Sequence, residues 1–227
     1  MLNPVVIDNN DPNYRIVENF LTDDILSIIK NDLKTQTDEH WNLEFETVYP
    51  KEHEVSKDYW IGVKDWQGMS INLQKKKVLE KYGMNPDIYS LVIEKAKETI
   101  ENRFGVKVKL EQVLLNRWRE GREQKPHVDY LLDDEGKDYS PLYDYGMNDD
   151  FIKDFKIHYT TKHFSSIVYL NEDYVGGELY FPQYGIEIKP ISNSIVSFKG
   201  DVNHLHGVKM VESGIRYTIS LFWTQIK

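Results

Sequence analysis

Cysteine is absent from this chain of 227 residues. Disulfide bonds, zinc sites built on thiolates and cysteine nucleophiles are therefore excluded. The sequence also has no apolar run of about eighteen residues, which is the length that a membrane-spanning helix needs. Its opening stretch, MLNPVVIDNNDPNYR, lacks the basic and apolar blocks of a signal peptide. These absences predict a soluble cytoplasmic protein with no membrane partner.

Basic residues are fewer than acidic residues, since the chain has 28 lysines and arginines and 37 aspartates and glutamates. The resulting net charge of -9 argues against a protein that grips phosphate backbones, and hence against a nucleic-acid partner. Hydrophobic residues make up 40% of the chain, enough to fill one well-packed core, and no repeat or linker divides the sequence. We therefore expect a single domain over residues 1–227.

The N-terminal part, residues 1–105, is interpreted as a helical support for the rest of the domain. The stretch TDDILSIIKNDLKTQ at 22–36 predicts a helix, since Thr22 can cap it and its large apolar residues share one face. A second helix is predicted over 87–104, with Asp87 at its start and Gly105 after its end. Its apolar stripe comprises Ile88, Leu91, Val92, Ala96, Ile100 and Phe104. Both stripes are typical of core contacts.

From residue 106 onward the pattern changes to short strands, rich in Val, Ile, Tyr and Phe and separated by turn residues. The runs include VKVKLEQVLLNRW, SSIVYLN, GELYFPQYGIEIKP, NSIVSFKG, HLHGVKMV and GIRYTISLFW. Their spacing favours an antiparallel sandwich or barrel over alternating strands and helices. The expected fold class is thus mainly β with N-terminal helices (α+β), and the β-core spans 106–227.

One segment of this β-region, residues 130–163, is acidic, rich in tyrosine and long for an internal connection. A connection of this length is usually either a functional loop or partly disordered. Its tyrosines favour a partly ordered loop that covers the mouth of the active site. A tyrosine ring offers flat apolar area with a polar tip, which is a good surface for a peptide or a proline ring. Tyr130 and Tyr143 are therefore candidate substrate contacts. The alternative is a solvated decoration without a functional role.

His127 and Asp129 stand two residues apart in the strand-like stretch EQKPHVDYLL. Side chains alternate along an extended chain, so these two residues point the same way. Imidazole and carboxylate are both good ligands for a divalent first-row metal, although a His-x-Asp pair alone also arises often by chance. The prediction of a metal site therefore requires a third ligand.

The third ligand has to come from the remaining histidines. His204 and His206 stand together in GDVNHLHGVKMVESGIRY and fall on the same face of an extended chain, so alternation does not choose between them. The other histidines are His40, His53, His158 and His163. Two histidines and one carboxylate form the facial triad that leaves positions open on iron(II), which is typical of a catalytic metal site.

Arg216 lies ten residues after His206, on the predicted strand IRYTISLFW. Alternation puts Arg216, Thr218, Ser220 and Phe222 on one face of this strand and Ile215, Tyr217, Ile219, Leu221 and Trp223 on the other. An inward arginine beside a hydroxyl residue forms a fork that can bind a carboxylate through two hydrogen bonds. The competing interpretation is a surface arginine in a salt bridge of little energetic value.

Four motifs follow one another over about the last half of the chain. They are Trp118-x-x-Gly121, Pro126-His127-Val128-Asp129, VYLNEDYVGGELYFP and HGVKMVESGIRY. In this order they resemble the iron(II)/2-oxoglutarate dioxygenases of the prolyl 4-hydroxylase type. The N-terminal YRIVENFLTDDILSIIK also resembles the opening strand and helix of that superfamily. The resemblance implies a double-stranded β-helix core, of jelly-roll or cupin-like type, with the metal near one mouth.

The same resemblance implies a role for each candidate site residue. Iron(II) is bound by His127, Asp129 and His206, which makes His204 a neighbour of the metal site. The co-substrate 2-oxoglutarate is bound by Arg216, Tyr169 and Thr218. The family also uses O2, with L-ascorbate as a reductant in some members, and no side chain beyond the metal ligands is implied to be catalytic.

The implied reaction is hydroxylation of an unactivated C–H bond while 2-oxoglutarate is decarboxylated to succinate and CO2. A prolyl residue in a peptide or protein is the expected substrate, and a small-molecule hydroxylase or a non-catalytic metal-binding jelly roll is the alternative. Two positions depart from the family pattern, with Trp118 where tyrosine is usual and Leu179 where threonine is common. Trp118 is also a candidate substrate contact.

Overall fold

The computed structural model describes residues 14–37, 41, 70–74, 76–129, 163–201 and 204–226. The loop predicted at 130–163 lies outside these ranges except for His163, so the predictions for Tyr130 and Tyr143 fall on residues that are not described. Among the alternative ligands, His40, His53 and His158 also lie outside the described residues.

Within these ranges, the N-terminal part contains the helices α1 (Asp23–Thr35), α2 (Lys76–Lys81) and α3 (Pro86–Phe104). The two predicted helices are confirmed as α1 and α3. Asn85 is the N-cap of helix α3, and its side chain accepts a hydrogen bond from the Asp87 amide. Gly105 is the C-cap, where φ is 65°, a left-handed conformation that glycine adopts without a steric penalty.

Two details of these helices differ from the sequence prediction. Thr22 occupies the N-cap of α1, but its side chain makes no capping hydrogen bond, and the acidic residues of the first turn stabilise this end instead. Leu91 does not belong to the buried stripe of α3, since 54% of it is exposed. The buried row is formed by Val92, Ala96 and Ile100, and Leu91 is rotated from Val92 by about 100°.

The described strands are short, apart from two long central ones. They are β1 (Tyr14–Val17), β2 (Ser70–Asn72), β3 (Lys107–Arg119), β4 (Gln124–His127), β5 (His163–Tyr169), β6 (Val175–Gly176), β7 (Leu179–Phe181), β8 (Ile186–Ile188), β9 (Ser194–Lys199), β10 (His206–Val208), β11 (Val211–Ser213) and β12 (Ile215–Ile226).

These strands form a large sheet, a smaller sheet and a ribbon. The large sheet has the order β1-β9-β5-β12-β3-β2, the smaller sheet has the order β4-β10-β7-β8, and β11 pairs with β6. Every described pairing is antiparallel, as the strand spacing predicts. The fold is mainly β, with a double-stranded β-helix core and N-terminal helices.

Buried hydrophobic residues form two clusters, one on each face of the large sheet. The first cluster joins α1 and α3 to the outer face, where Leu115 and Trp223 pack. The second lies between the two sheets and includes Trp118, Tyr169 and Phe181. Strand β12 contributes Ile219, Leu221 and Trp223 to the first cluster, whereas alternation places Arg216 and Thr218 on the opposite face of the strand.

None of the helices among the described residues combines the length and the apolar character needed to cross a membrane.

Candidate active site

Strand pairing in the smaller sheet brings together three residues that are far apart in sequence. His127 ends β4, Asp129 follows two residues later, and His206 begins β10 directly opposite His127. One ligand atom of each residue lies within 4.8 Å of the others. His127 and His206 are 7% and 4% exposed, and the Asp129 side chain is 8% exposed. The cluster is therefore a compact, buried set of metal-binding groups.

Backbone carbonyls orient both imidazole rings. His127 Nδ1 lies 2.9 Å from the Lys125 carbonyl oxygen, and His206 Nδ1 lies 3.0 Å from the His204 carbonyl oxygen. Because a carbonyl only accepts hydrogen bonds, each Nδ1 carries a proton and donates it. The Nε2 atoms then face Asp129, at 3.6 Å for His127 and 3.5 Å for His206. Both rings thus present Nε2 towards the centre of the cluster.

Asp129 is held in place by Ser165, whose hydroxyl donates a hydrogen bond to Asp129 Oδ2. The backbone of Gly200 packs against the same carboxylate, since a Cβ there would lie 3.3 Å from Asp129 Oδ2. Burial alone would raise the pKa of Asp129, but the His206 and His127 imidazoles outweigh it and hold the pKa well below its usual range. An ionised carboxylate between two imidazoles is a donor set that suits iron(II).

His204, which sequence alternation leaves as an alternative ligand, lies outside this cluster. Its Nδ1 is 2.6 Å from Asp201 Oδ1, and both residues are buried. Its contact with the cluster is through its backbone carbonyl, which accepts the hydrogen bond from His206. His163 also lies elsewhere, with Nδ1 3.2 Å from Thr224 Oγ1. Among the described histidines, the structure brings His206 to His127 and Asp129.

Aromatic rings from both sheets form an apolar wall behind His206. The Phe198 ring centroid lies 4.7 Å from that of His206, and the Phe181 centroid lies at 5.9 Å. Both phenylalanines are at least 99% buried. Such a wall limits access of water to this side of the cluster and lowers the local dielectric constant.

A second polar group, on the large sheet, is centred on Arg216. Arg216 is only 2% exposed, and its guanidinium carbon lies 5.1 Å from the Trp118 ring centroid and 5.2 Å from that of Tyr169. Strand pairing explains this arrangement, because Arg216 is opposite Trp118 on β3 and Thr218 is opposite Tyr169 on β5. Arg216 Nη1 donates to Thr218 Oγ1 at 3.4 Å.

The remaining donors of Arg216 are buried without a partner. Nε and Nη2 make no hydrogen bond within the described residues, and neither does the Tyr169 hydroxyl. Leaving a buried guanidinium unpaired is costly, and such groups normally find an acceptor. Burial raises the pKa of Tyr169 although the Arg216 charge lowers it, so the phenol remains a donor at neutral pH. Together these donors fit a carboxylate ligand.

Two further aromatic residues lie close to Arg216. Trp118, a candidate substrate contact, is only 5% exposed, and its ring lies against the Arg216 guanidinium in the core between the sheets. Tyr174 was not singled out by its sequence pattern, yet its hydroxyl is buried near Arg216 and makes no hydrogen bond within the described residues. The motif YLNEDYVGG contains Tyr174 but gives no sign that its ring turns towards Arg216.

Comparison with known proteins agrees with this chemistry. Residues 113–224 match the profile of the 2OG-Fe(II) oxygenase superfamily. This range includes the cluster of His127, Asp129 and His206 and the polar residues around Arg216. Human prolyl 3-hydroxylase 1 is 37% identical over 71 residues, and human prolyl 3-hydroxylase 2 is 34% identical over 71 residues. Each match covers 29% of this chain but only 10% of the human protein.

Solved structures share the fold at low sequence identity. A viral collagen prolyl hydroxylase from Paramecium Bursaria Chlorella virus-1, in complex with 2-oxoglutarate, superimposes with a TM-score of 0.54 at 16% identity, over 94% of this chain and 96% of that one. A Trichoplax adhaerens prolyl hydroxylase in complex with a hypoxia inducible factor peptide gives a TM-score of 0.52 at 16% identity, over 95% and 85%.

The family match and the donor sets lead to the same cofactor requirement. The superfamily uses iron(II), 2-oxoglutarate and O2, and the two polar groups of this structure suit a divalent metal and a carboxylate. Residues 113–224, about half of the chain, are similar to the 2OG-Fe(II) oxygenase superfamily.

Proposed function

We propose that this chain is a 2-oxoglutarate-dependent dioxygenase that hydroxylates an unactivated C–H bond of a prolyl residue in a peptide or protein. The observation that carries the proposal is the similarity of a 71-residue segment to human prolyl 3-hydroxylases. The likeness of the whole fold to prolyl hydroxylases from a virus and from Trichoplax adhaerens also supports it. The reaction consumes 2-oxoglutarate and O2 and yields succinate, CO2 and the hydroxylated substrate.

Three residues would hold the metal in this reaction: His127 and His206 through Nε2, and Asp129 through its carboxylate. Bound iron(II) supplies the activation of O2 that couples 2-oxoglutarate decarboxylation to C–H hydroxylation. Three protein ligands leave coordination positions for the co-substrate and O2. The protein holds these ligands in place before the metal binds, through the carbonyl bonds to both imidazoles and the Ser165 bond to Asp129.

Arg216 would bind the distal carboxylate of 2-oxoglutarate. Its unpaired Nε and Nη2 offer two donors in the fork geometry that a carboxylate accepts. Tyr169 supplies a third donor, and Thr218 orients the guanidinium through Nη1. Because these groups are buried, the ion pair with the co-substrate forms in a low dielectric and is strengthened accordingly.

Substrate contacts are proposed for the segment at 130–163, including Tyr130 and Tyr143. This segment begins immediately after Asp129, so its first residues adjoin the metal ligands along the chain. We also propose that residues 1–227 form one domain, in which the N-terminal helices support the large sheet of the core.

The decisive experiment measures substrate oxidation and succinate release together. The protein is supplied with iron(II), 2-oxoglutarate, ascorbate and a panel of peptides in which proline occurs in different contexts, with free proline as a small-molecule comparison. We expect one class of peptide to gain one oxygen atom per succinate formed. Nuclear magnetic resonance of the product distinguishes hydroxylation at C4, implied by the sequence resemblance, from C3, named in the curated relatives.

Asp129→Ala should abolish both products, since it removes a metal ligand and leaves two imidazoles. Asp23→Ala is the matched control, because it removes a carboxylate from the exposed first turn of α1 and should leave both products unchanged. Oxidation of free proline with every peptide untouched would contradict the peptidyl assignment. Full activity of Asp129→Ala would contradict the metal assignment.

A further inference from the structure

We propose that Tyr174 is a further co-substrate-binding residue, whose hydroxyl donates a hydrogen bond to the distal carboxylate of 2-oxoglutarate. The inference deepens the proposed function and rests on the role given there to Arg216. It assigns a second phenol, besides Tyr169, to the group that recognises this carboxylate.

The loop that carries Tyr174 is fixed to the strand that carries Arg216. Asn171 donates through its side chain to the Ile215 carbonyl oxygen at 2.7 Å, and its side-chain oxygen accepts from the Tyr217 amide at 2.8 Å. These two hydrogen bonds join Asn171 to the backbone of the residues immediately before and after Arg216. The position of the Tyr174 loop relative to the guanidinium is therefore set by the fold and does not depend on a ligand.

Gly177 allows the Tyr174 ring and the Arg216 side chain to approach each other. Its φ is +71°, and a Cβ at this position would lie 2.8 Å from Arg216 Cδ and 3.1 Å from Tyr174 Cε2. Both side chains therefore pack directly against the Gly177 backbone. A larger residue would push one of them away and would also strain the backbone.

The hydroxyl of Tyr174 lacks an acceptor, as do the groups around it. Tyr174 is half-buried, but its hydroxyl oxygen is buried and makes no hydrogen bond of ordinary geometry within the described residues. The same holds for the Tyr169 hydroxyl and for Arg216 Nε and Nη2. The nearby Glu178 carboxylate acts on both phenols electrostatically without accepting a hydrogen bond from either.

These phenols remain donors at neutral pH. Burial raises the pKa of Tyr174, and it does so even though the neighbouring Arg216 charge lowers it. The Tyr169 pKa is raised for the same reason. Two phenols and a guanidinium with no acceptor between them match a carboxylate, whose two oxygens offer about four lone-pair sites.

A direct consequence is that this site should distinguish 2-oxo acids by the group that they carry at the end distant from the keto carbon. A 2-oxo acid that ends in a methyl group would leave the guanidinium and both hydroxyls unpaired in a buried site. Sites built on buried polar groups reject such analogues strongly, because the unpaired groups lose water without gaining a partner. Tyr174 should therefore contribute to binding of 2-oxoglutarate and not to binding of 2-oxopentanoate.

The test is a calorimetric measurement of ligand binding to the full chain loaded with manganese(II), without turnover. Tyr174→Phe should weaken 2-oxoglutarate binding about tenfold or more, the value of one hydrogen bond to a charged group. Binding of 2-oxopentanoate should stay the same. Tyr184→Phe is the matched control, since Tyr184 is 42% exposed, and it should change neither dissociation constant.

Arg216→Ala separates this inference from the proposed function. If Arg216→Ala weakens 2-oxoglutarate binding and Tyr174→Phe does not, the role of Tyr174 is overturned while the role of Arg216 stands. If neither variant weakens binding, the assigned carboxylate site is wrong altogether. Equal weakening of both 2-oxo acids by Tyr174→Phe would overturn the inference in favour of simple packing, and the melting temperature of each variant verifies that it is folded.

Discussion

Asp129 illustrates how single residues acquire their chemistry from their surroundings. Burial opposes its negative charge, whereas His206 and His127 at 3.5 and 3.6 Å favour it, and the histidines prevail. The Ser165 hydrogen bond holds the carboxylate against rotation. The Asp129 carboxylate is therefore itself ionised before a metal binds, as a carboxylate ligand must be.

The neighbouring histidines differ in a way that a binding experiment can measure. His206→Ala removes a ligand atom and should abolish high-affinity manganese(II) binding. His204→Ala keeps the backbone carbonyl that orients His206, so it should lower metal affinity by no more than about 10–100-fold. Titration calorimetry or electron paramagnetic resonance of both variants measures the difference. Retention of metal by His206→Ala together with its loss in His204→Ala would reverse the assignment.

At the scale of elements, α1 and α3 are joined by a polar contact inside an apolar interface. The Tyr89 hydroxyl of α3 donates to Asp32 Oδ2 of α1 at 3.0 Å, with Tyr89 fully buried and Asp32 only 7% exposed. Burial raises the pKa of Asp32, although hydrogen bonds from Tyr89 and the Asn85 backbone lower it. The folded protein therefore binds this proton more tightly than the unfolded chain does.

Linkage gives the sign of the pH dependence at this contact. Since the pKa of Asp32 is raised by folding, its contribution to the free energy of unfolding is greatest below the unfolded pKa and decreases as pH rises through the folded value. Tyr89→Phe removes one donor from the buried carboxylate, so we expect a loss of about 1–3 kcal/mol at neutral pH and a smaller loss in mild acid.

Denaturant unfolding of the metal-free protein at both pH values measures this effect. Asp32→Asn is the companion variant, because it removes the titrating group while keeping a side-chain oxygen for Tyr89. It should remove the part of the pH dependence that Asp32 causes. A loss for Tyr89→Phe that is larger in acid than at neutral pH would contradict the explanation.

At the scale of the whole molecule, the large sheet is shared by two hydrophobic clusters. Its outer face packs against the helices and its inner face against the smaller sheet. The strands that carry Arg216 and Tyr169 lie near the middle of this sheet, in neighbouring positions. Damage to the helical layer should therefore destabilise the active site, although no helix contributes a residue to the donor groups described above.

This arrangement predicts that the helices and the site unfold together. Ile100→Ala creates a cavity between α3 and the sheet and should lower the free energy of unfolding by about 2–5 kcal/mol. Leu91→Ala on the same helix should change it by no more than about 0.5 kcal/mol, because Leu91 is 54% exposed. Helical circular dichroism, tryptophan fluorescence and metal binding should be lost in one transition for each variant. Two separate transitions would contradict the single-domain proposal.

Much of this architecture follows from local sequence patterns. The 3.6-residue periodicity around Val92, Ala96 and Ile100 predicts α3, and the short β-branched and aromatic runs predict antiparallel strands. The pair His127 and Asp129 can be recognised as candidate ligands because a spacing of two places both on one face of an extended chain. These features were accessible because they depend on neighbours a few residues apart.

Other features depend on which strands pair, and the sequence by itself did not determine them. His204 and His206 have the same parity, and the opposition of His206 to His127 across β10 and β4 was needed to distinguish their positions. Trp118 lies under Arg216 because β3 and β12 pair in one particular register. Tyr174 meets Arg216 because Asn171 fixes its loop to β12. Contacts between distant segments depend on register and packing, which local periodicity does not encode, so only the tertiary structure decided them.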